Sequence, residues 1–144
     1  MGKPIAIIVI FIVTILFIVT FINIANQSKK YELKLPELEA IKSIVISKNA
    51  GQKDEAKKEI TDSETMQTIL KTLNGTGRKS KEESIQDAPV NGKDAIKIDF
   101  NHVEGGTSTV YVYRRMPNFY MEQPYNGIYR ITMEDYYAMA DYLK

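Results

Sequence analysis

The 144-residue chain has no cysteine and a single histidine, and neither sign of charge is in useful excess. Without cysteine there is no thiolate nucleophile and no lipid-modified cysteine behind a cleaved leader. The absence fits an exported protein and a cytosolic one alike. The lone histidine, His102, lies beside a hairpin loop, where it reads as ordinary surface, because general acid–base chemistry needs a positioned partner. HExxH, GxSxG, P-loop and dinucleotide fingerprints are all missing. Asp87, Asp94, Asp99 and Glu104 lack the spacing of a calcium loop and read as turns and strand faces. No enzyme, no cofactor and no metal site is expected. Lysine and arginine total 19 against 18 acidic residues, so setting Lys3 aside leaves 18 of each. A neutral domain lacks the basic surface that nucleic acid requires, and has no general electrostatic reason to lie on anionic lipid.

What the chain does have begins at its amino end. "PIAIIVIFIVTILFIVTFINIA", Pro4 to Ala25, carries no charge. As a helix rising ~1.5 Å per residue, the run from Ile5 to Ile22 would cover roughly 27 Å, close to a bilayer core of about 30 Å. It is longer than the apolar core of a cleaved signal, and Ala25 has no paired small residue for cleavage. Gly2 is followed by Ala6 where myristoylation wants Ser or Thr. The expectation is an uncleaved signal anchor over 1–28, a stalk over 29–37 and an extracytoplasmic domain over 38–144. The protein would then sit in the plasma membrane as a single-pass chain. Lys3 on one flank and Lys29 and Lys30 on the other leave the orientation undecided by charge, and the short amino-terminal flank favours the carboxyl domain outside.

The remainder reads as α+β. Pro36 gives an extended entry. "AIKSIVISKN" reads as a strand, and "GQKDEAKKEITD" as a polar turn and a second strand ending at Ile60. Thr61 and Glu64 have capping-box spacing, with Asp62 and Ser63 as competing caps. Met66, Ile69, Leu70 and Leu73 then make one apolar stripe before Asn74-Gly75. Thr76 to Asp94 is a long polar strap, part of it expected along a sheet edge, with Ile85 and Val90 as its anchors. "AIKIDFNHV" and "TSTVYVYRR" form a hairpin. A three-residue loop, Glu104 to Gly106, would set Phe100 against Val110 and Ile98 against Val112, with Lys97 opposite Tyr113 and Asp99 opposite Tyr111 on the outer face. After the turn "MPN" a second hairpin is expected about Asn126-Gly127, at a sheet edge because Pro124 cannot donate a ladder bond. Thr132 and Asp135 open a last helix with Met133, Tyr136, Tyr137, Ala140 and Leu143 on its apolar face. The expected architecture is an antiparallel sheet of five or six strands with two helices on one face. Its core would be Ile44, Ile46, Met66, Ile69, Leu70, Leu73, Ile96, Ile98, Phe100, Val110, Val112 and Ile131.

"EQPYNGIY", Glu122 to Tyr129, is the most distinctive stretch. Turn chemistry accounts for Asn-Gly and proline. It does not account for the tyrosines and arginines nearby, which are the usual anchors of binding surfaces. Tyr111, Tyr113, Arg115, Tyr120, Glu122, Tyr125, Tyr129 and Arg130 are therefore the candidate contact residues, for a peptide, glycan or envelope-protein partner.

"KSKEESIQDAP", "IKIDFNHVEGGTSTVYVY" and "YMEQPYNGIYRIT" together resemble a Gram-positive, largely clostridial family of small exported proteins, known only as domain of unknown function 5301. The resemblance covers Leu35 to Leu143 and includes the Ser-x-x-Asp-x-Pro step at Ser84, Asp87 and Pro89. It implies a single amino-terminal span or a lipoprotein signal, and assigns no catalytic residues. The leading functional expectation is a membrane-anchored, non-enzymatic binding or sensing module. The alternative is an accessory subunit that meets a larger membrane complex through its transmembrane helix.

Overall fold

The computed structural model describes residues 3–25, 30–48, 53–90 and 94–144. The expected stalk and the polar turn before the second strand begin at Lys29 and Gly51, outside these residues. Helix α1 spans Lys3–Ala25. Its two threonines are absorbed by the helix itself: Thr14 Oγ1 donates to the Ile10 carbonyl at 2.8 Å and Thr20 Oγ1 to that of Leu16 at 2.6 Å. The membrane-spanning component of the expected fold is corrected: among the described residues no helix is long and apolar enough to cross a membrane. The described side chains of α1 are those of 8–20, all exposed. The expected Ile5–Ile22 run passes beyond that stretch at both ends, outside the described side chains.

The rest of the described chain is α+β. The strands are β1 (Tyr31–Glu32), β2 (Ile41–Lys48), β3 (Ala56–Ile60), β4 (Lys79–Ser80), β5 (Glu82–Glu83), β6 (Ile96–His102), β7 (Thr107–Arg115), β8 (Asn118–Gln123) and β9 (Gly127–Ile131). Helices α2 (Ser63–Asn74) and α3 (Met133–Ala140) complete it. Seven strands form one sheet in the order β3-β2-β6-β7-β8-β9-β5, and β1 pairs with β4 separately. All pairings are antiparallel. The expected five or six strands therefore undercount the sheet. The extra pairing, Glu82 against Ile128 and Glu83 against Gly127, comes from a two-residue piece of the strap too short to show alternation.

Period-2 alternation sends one set of side chains to the helices. Ile44, Ile46, Ile96, Ile98, Phe100, Val110, Val112 and Met121 are 1% exposed or less, and Met66, Ile69, Leu73, Tyr136 and Met139 close the core from α2 and α3. Of the expected core only Leu70 is half-buried. The first hairpin keeps its expected faces but not its partners. Ile98 faces Val110 and Ile96 faces Val112, while Phe100 faces Ser108; on the outer face Lys97 meets Tyr111 and Asp99 meets Thr109. His102 N–H donates to the Gly106 carbonyl at 3.0 Å, so the loop is Val103–Gly105, one residue earlier than expected. Moving the loop by one changes each pairing by two, which preserves the alternation. The glycines allow it, with φ of 96° at Gly105 and 85° at Gly106.

Helix α2 is capped by Asp62, whose carboxylate accepts from Thr65 N–H at 2.8 Å, rather than by Thr61. The expected capping box of α3 is present, between Thr132 and Asp135. Met133 and Tyr137, expected on the apolar face of α3, are about half exposed, and Met139 takes the buried place. Arg78 binds the two helices together. Its Nε donates to the Leu73 carbonyl at 2.6 Å and its Nη2 to Thr72 O at 3.0 Å and Asp135 Oδ2 at 2.8 Å. Burial alone would raise the Asp135 carboxyl; the hydrogen bonds from Arg78 and the Thr132 backbone outweigh it and hold the group below its ordinary value. Free edges lie at β3, where Lys57, Lys58 and Glu59 are exposed, and at the two-residue β5.

A carboxyl held low in the folded state stabilises fully above its unfolded value of about 3.9, and that stabilisation fades as pH falls through the folded value. Asp135→Asn should therefore unfold at lower urea than the parent at pH 7. The gap should narrow as the two are compared at successively lower pH below ~4. A gap independent of pH would assign the loss to packing instead.

Candidate functional site

Strands β5 and β6 follow one another in sequence but lie four places apart in an antiparallel order, which makes them parallel. Parallel strands need a crossover of about a dozen residues or more. The chain between β5 and β6 supplies it, and its described part, residues 84–90, lies over the outer face of the sheet, away from the helices. This is why so long a polar segment sits in a compact domain. Its expected anchors are wrong: Ile85 and Val90 are 72% and 78% exposed. Ser84, 2% exposed, anchors the strap instead.

Beneath the strap the outer-face register sets Tyr111 beside Glu122 and Tyr113 beside Tyr120, with Ile128 and Arg130 next in line on β9. Glu122 is 5% exposed and Tyr113 4%. Ser84 Oγ donates to Glu122 Oε1 at 2.6 Å, and the Tyr113 hydroxyl to Oε2 at 3.1 Å. Burial first, then the Glu122 charge and hydrogen bond, push the Tyr113 phenol well above the ordinary tyrosine range. It is therefore neutral, and a donor, at any physiological pH. The strap is pinned further by the Tyr125 hydroxyl on Asp87 Oδ1 at 2.8 Å and by Ser84 N–H on the Asn126 carbonyl at 3.2 Å. The Ser-x-x-Asp-x-Pro step thus grips "EQPYNGIY" through three hydrogen bonds, from Ser84 to Glu122 and to Asn126 and between Asp87 and Tyr125.

A cleft of ≈ 140 Å³ opens between strap and sheet, bordered by Ile85, Val90, Tyr113, Arg115, Glu122 and Ile128 among others. Arg115 sits at its rim, 3.8 Å from Glu82 and with its guanidinium 4.5 Å over the Tyr120 ring. Tyr113 and Tyr120 stack at 5.9 Å between ring centres. A shallower hollow on the same face is bordered by Asp87, Lys97, Tyr111 and Gln123.

Of the eight candidate residues, Tyr111, Tyr113, Arg115, Tyr120, Glu122 and Arg130 share this outer face, and Tyr125 stands at the adjoining turn, 67% exposed. Tyr129 does not join them. It points inward, 1% exposed, and burial raises its phenol to about 12. Arg130 is drawn away to Asn118. The turn itself also differs from expectation. Gln123 pairs with Gly127, so the loop is Pro124–Asn126, and Tyr125, with φ of 57°, takes the left-handed position expected of Asn-Gly. Gly127 serves close approach instead: a Cβ there would lie 2.8 Å from Tyr31 Cβ and 2.9 Å from the Tyr129 hydroxyl. The hairpin is not a free edge either, since β5 covers the start of β9. Residues 31–34 are tied to the same turn. The Gln123 amide exchanges hydrogen bonds with Lys34 N–H and carbonyl at 3.0 and 2.6 Å, and Asn126 Nδ2 donates to Glu32 O at 2.8 Å.

Comparison with known proteins places these motifs. The model of the family DUF5301, described as "Domain of unknown function (DUF5300)", matches residues 29–130, and the chain belongs to that family. A solved structure described as the "NMR structure of the protein from Ruminococcus gnavus" is 31% identical, with a TM-score of 0.56. The match covers 72% of this chain and 98% of that one. No curated protein matches the chain.

Removing the Ser84 hydroxyl leaves Glu122 with one donor and frees the strap. Ser84→Ala should raise amide hydrogen exchange over residues 84–90 by about tenfold or more, the equivalent of one hydrogen bond to a charged group, with β6 and β7 unchanged. Gly127→Ala should lower global stability by ~1–3 kcal/mol in urea denaturation, because backbone-anchored neighbours must shift to admit the methyl.

Proposed function

We propose that this domain is a non-enzymatic binding module, and that its contact surface is the strap-covered outer face bearing Tyr111, Tyr113, Arg115, Tyr120, Glu122 and Tyr125. The observation that supports this reading most is the second burial site on the face opposite the hydrophobic core. The core needs only one face of the sheet. Yet a tyrosine and a carboxylate are buried on the other, under a segment whose two large apolar side chains are turned out to solvent. A few convergent polar groups beside apolar side chains are what a recognition site requires. Tyrosine and arginine supply rigid contact area at low conformational cost. An extracytoplasmic location belongs to the same proposal and draws its support from the resemblance to exported proteins. The accessory-subunit alternative depended on a membrane-spanning helix and is not carried forward.

The reading is tested by a fragment and short-peptide screen observed by NMR on the isotope-labelled chain. Ligands should perturb the strap and residues 111–115 together, and Tyr113→Ala or Tyr125→Ala should weaken them about tenfold or more with the fold intact. Ligands that gather elsewhere, or binding indifferent to both substitutions, would sink the assignment.

A further inference from the structure

Among the described residues the charge of Glu122 has no ion-pair partner. Its two oxygens are satisfied as acceptors, each by a neutral hydroxyl. Arg115, the cation bordering the cleft, is turned to the rim, where Glu82 and the Tyr120 ring hold it. A carboxylate taken out of water without a counter-charge is costly, and hydroxyl donors offset only part of that cost.

We propose that the cleft between strap and sheet binds a primary ammonium carried on a short aliphatic stem, with Glu122 as its counter-charge. The inference rests on the binding-module reading and names its ligand chemistry. Each carboxylate oxygen of Glu122 has already accepted one hydroxyl, which leaves one lone-pair direction apiece. A guanidinium fork would need both in parallel; an ammonium is a compact point charge and needs only one. The Tyr113 ring borders the same space and adds attraction for a cation. Ile128 provides an apolar wall for the stem, and the largely exposed Ile85 and Val90 border the same space. At ≈ 140 Å³ the cleft is well below the ~300 Å³ at which drug-sized ligand sites begin, and it matches a group of side-chain size.

The test uses the full chain in non-ionic detergent, since α1 exposes apolar side chains, and follows the methyl signals of Ile85, Val90 and Ile128. Two matched pairs are titrated: n-pentylammonium against pentan-1-ol, and N-acetyl-lysine methylamide against N-acetyl-norleucine methylamide. The ammonium member of at least one pair should move these methyls and bind about tenfold or more tightly than its neutral partner. Which pair responds separates a free amine from a lysine carried on a polypeptide. Glu122→Gln should abolish the preference for charge. If that variant does not fold, the matched pairs on the parent chain decide alone. Equal binding of charged and neutral partners at these methyls would overturn the ammonium assignment and leave the binding module standing. Silence of these methyls with all four probes overturns the assignment as well, and silence in the fragment screen too would take both readings down.

Discussion

The outer face of this domain hangs from one buried carboxylate. Glu122 is held by a hydroxyl from the strap and a hydroxyl from its own sheet, and through them it fixes the path of the crossover and the orientation of Tyr113. The described part of the crossover is otherwise held by Tyr125 on Asp87 and by the Ser84 N–H on the Asn126 carbonyl. Its large apolar side chains face solvent, so the usual hydrophobic anchoring of a long connection is absent. Hydrogen bonds to an ionised acceptor are shorter and stronger than neutral ones, and the pair at Glu122 does work that packing does elsewhere in the molecule.

The turn that carries Glu122 is a junction as much as a loop. Gln123 and Asn126 bind the extended chain at Lys34 and Glu32, while Glu122 and Tyr125 bind the strap at Ser84 and Asp87. Both of these neighbours are otherwise short of regular structure. On the opposite side of the sheet Arg78 has a comparable task, joining the last carbonyls of α2 to the first turn of α3. Polar clasps thus fix the connections, and apolar packing fixes the sheet and helices.

How much of this could be read from the sequence follows the same division. On the central strands and α2, alternation or helical spacing announced the buried face: Ile44 and Ile46, Ile96 to Phe100, Val110 and Val112 and the α2 stripe are core apart from the half-buried Leu70, whereas on α3 Met139 took the place expected of Met133 and Tyr137. Alternation says which face, however, and not which partner, so the hairpin could slide by two without leaving a trace. At Gly127 the glycine was visible but its reason was not, because the neighbour that demands it, Tyr31, lies far away in sequence. The strap was misread for a related cause. Ile85 and Val90 are its apolar members, and only the topology shows that no apolar surface waits for them on that face. Ser84 and Asp87 had a signal in their fixed spacing, yet their partners Glu122 and Tyr125 are each 38 residues away. The Tyr/Arg cluster was legible as a group because most of it alternates on adjacent strands; Tyr129 fell out of it by one residue of parity.

The two ends of the sheet carry one more consequence. One outermost strand presents Lys57 and Lys58, and the other is two glutamates long. Strands left open in this way are templates for addition of further chains, and charged or very short ones are poor templates. The acidic edge repels its own kind, and a pairing between the two edges could share no more than the two residues of the acidic strand. Growth of the sheet by end-on addition at the acidic strand would therefore gain a ladder of only two residues.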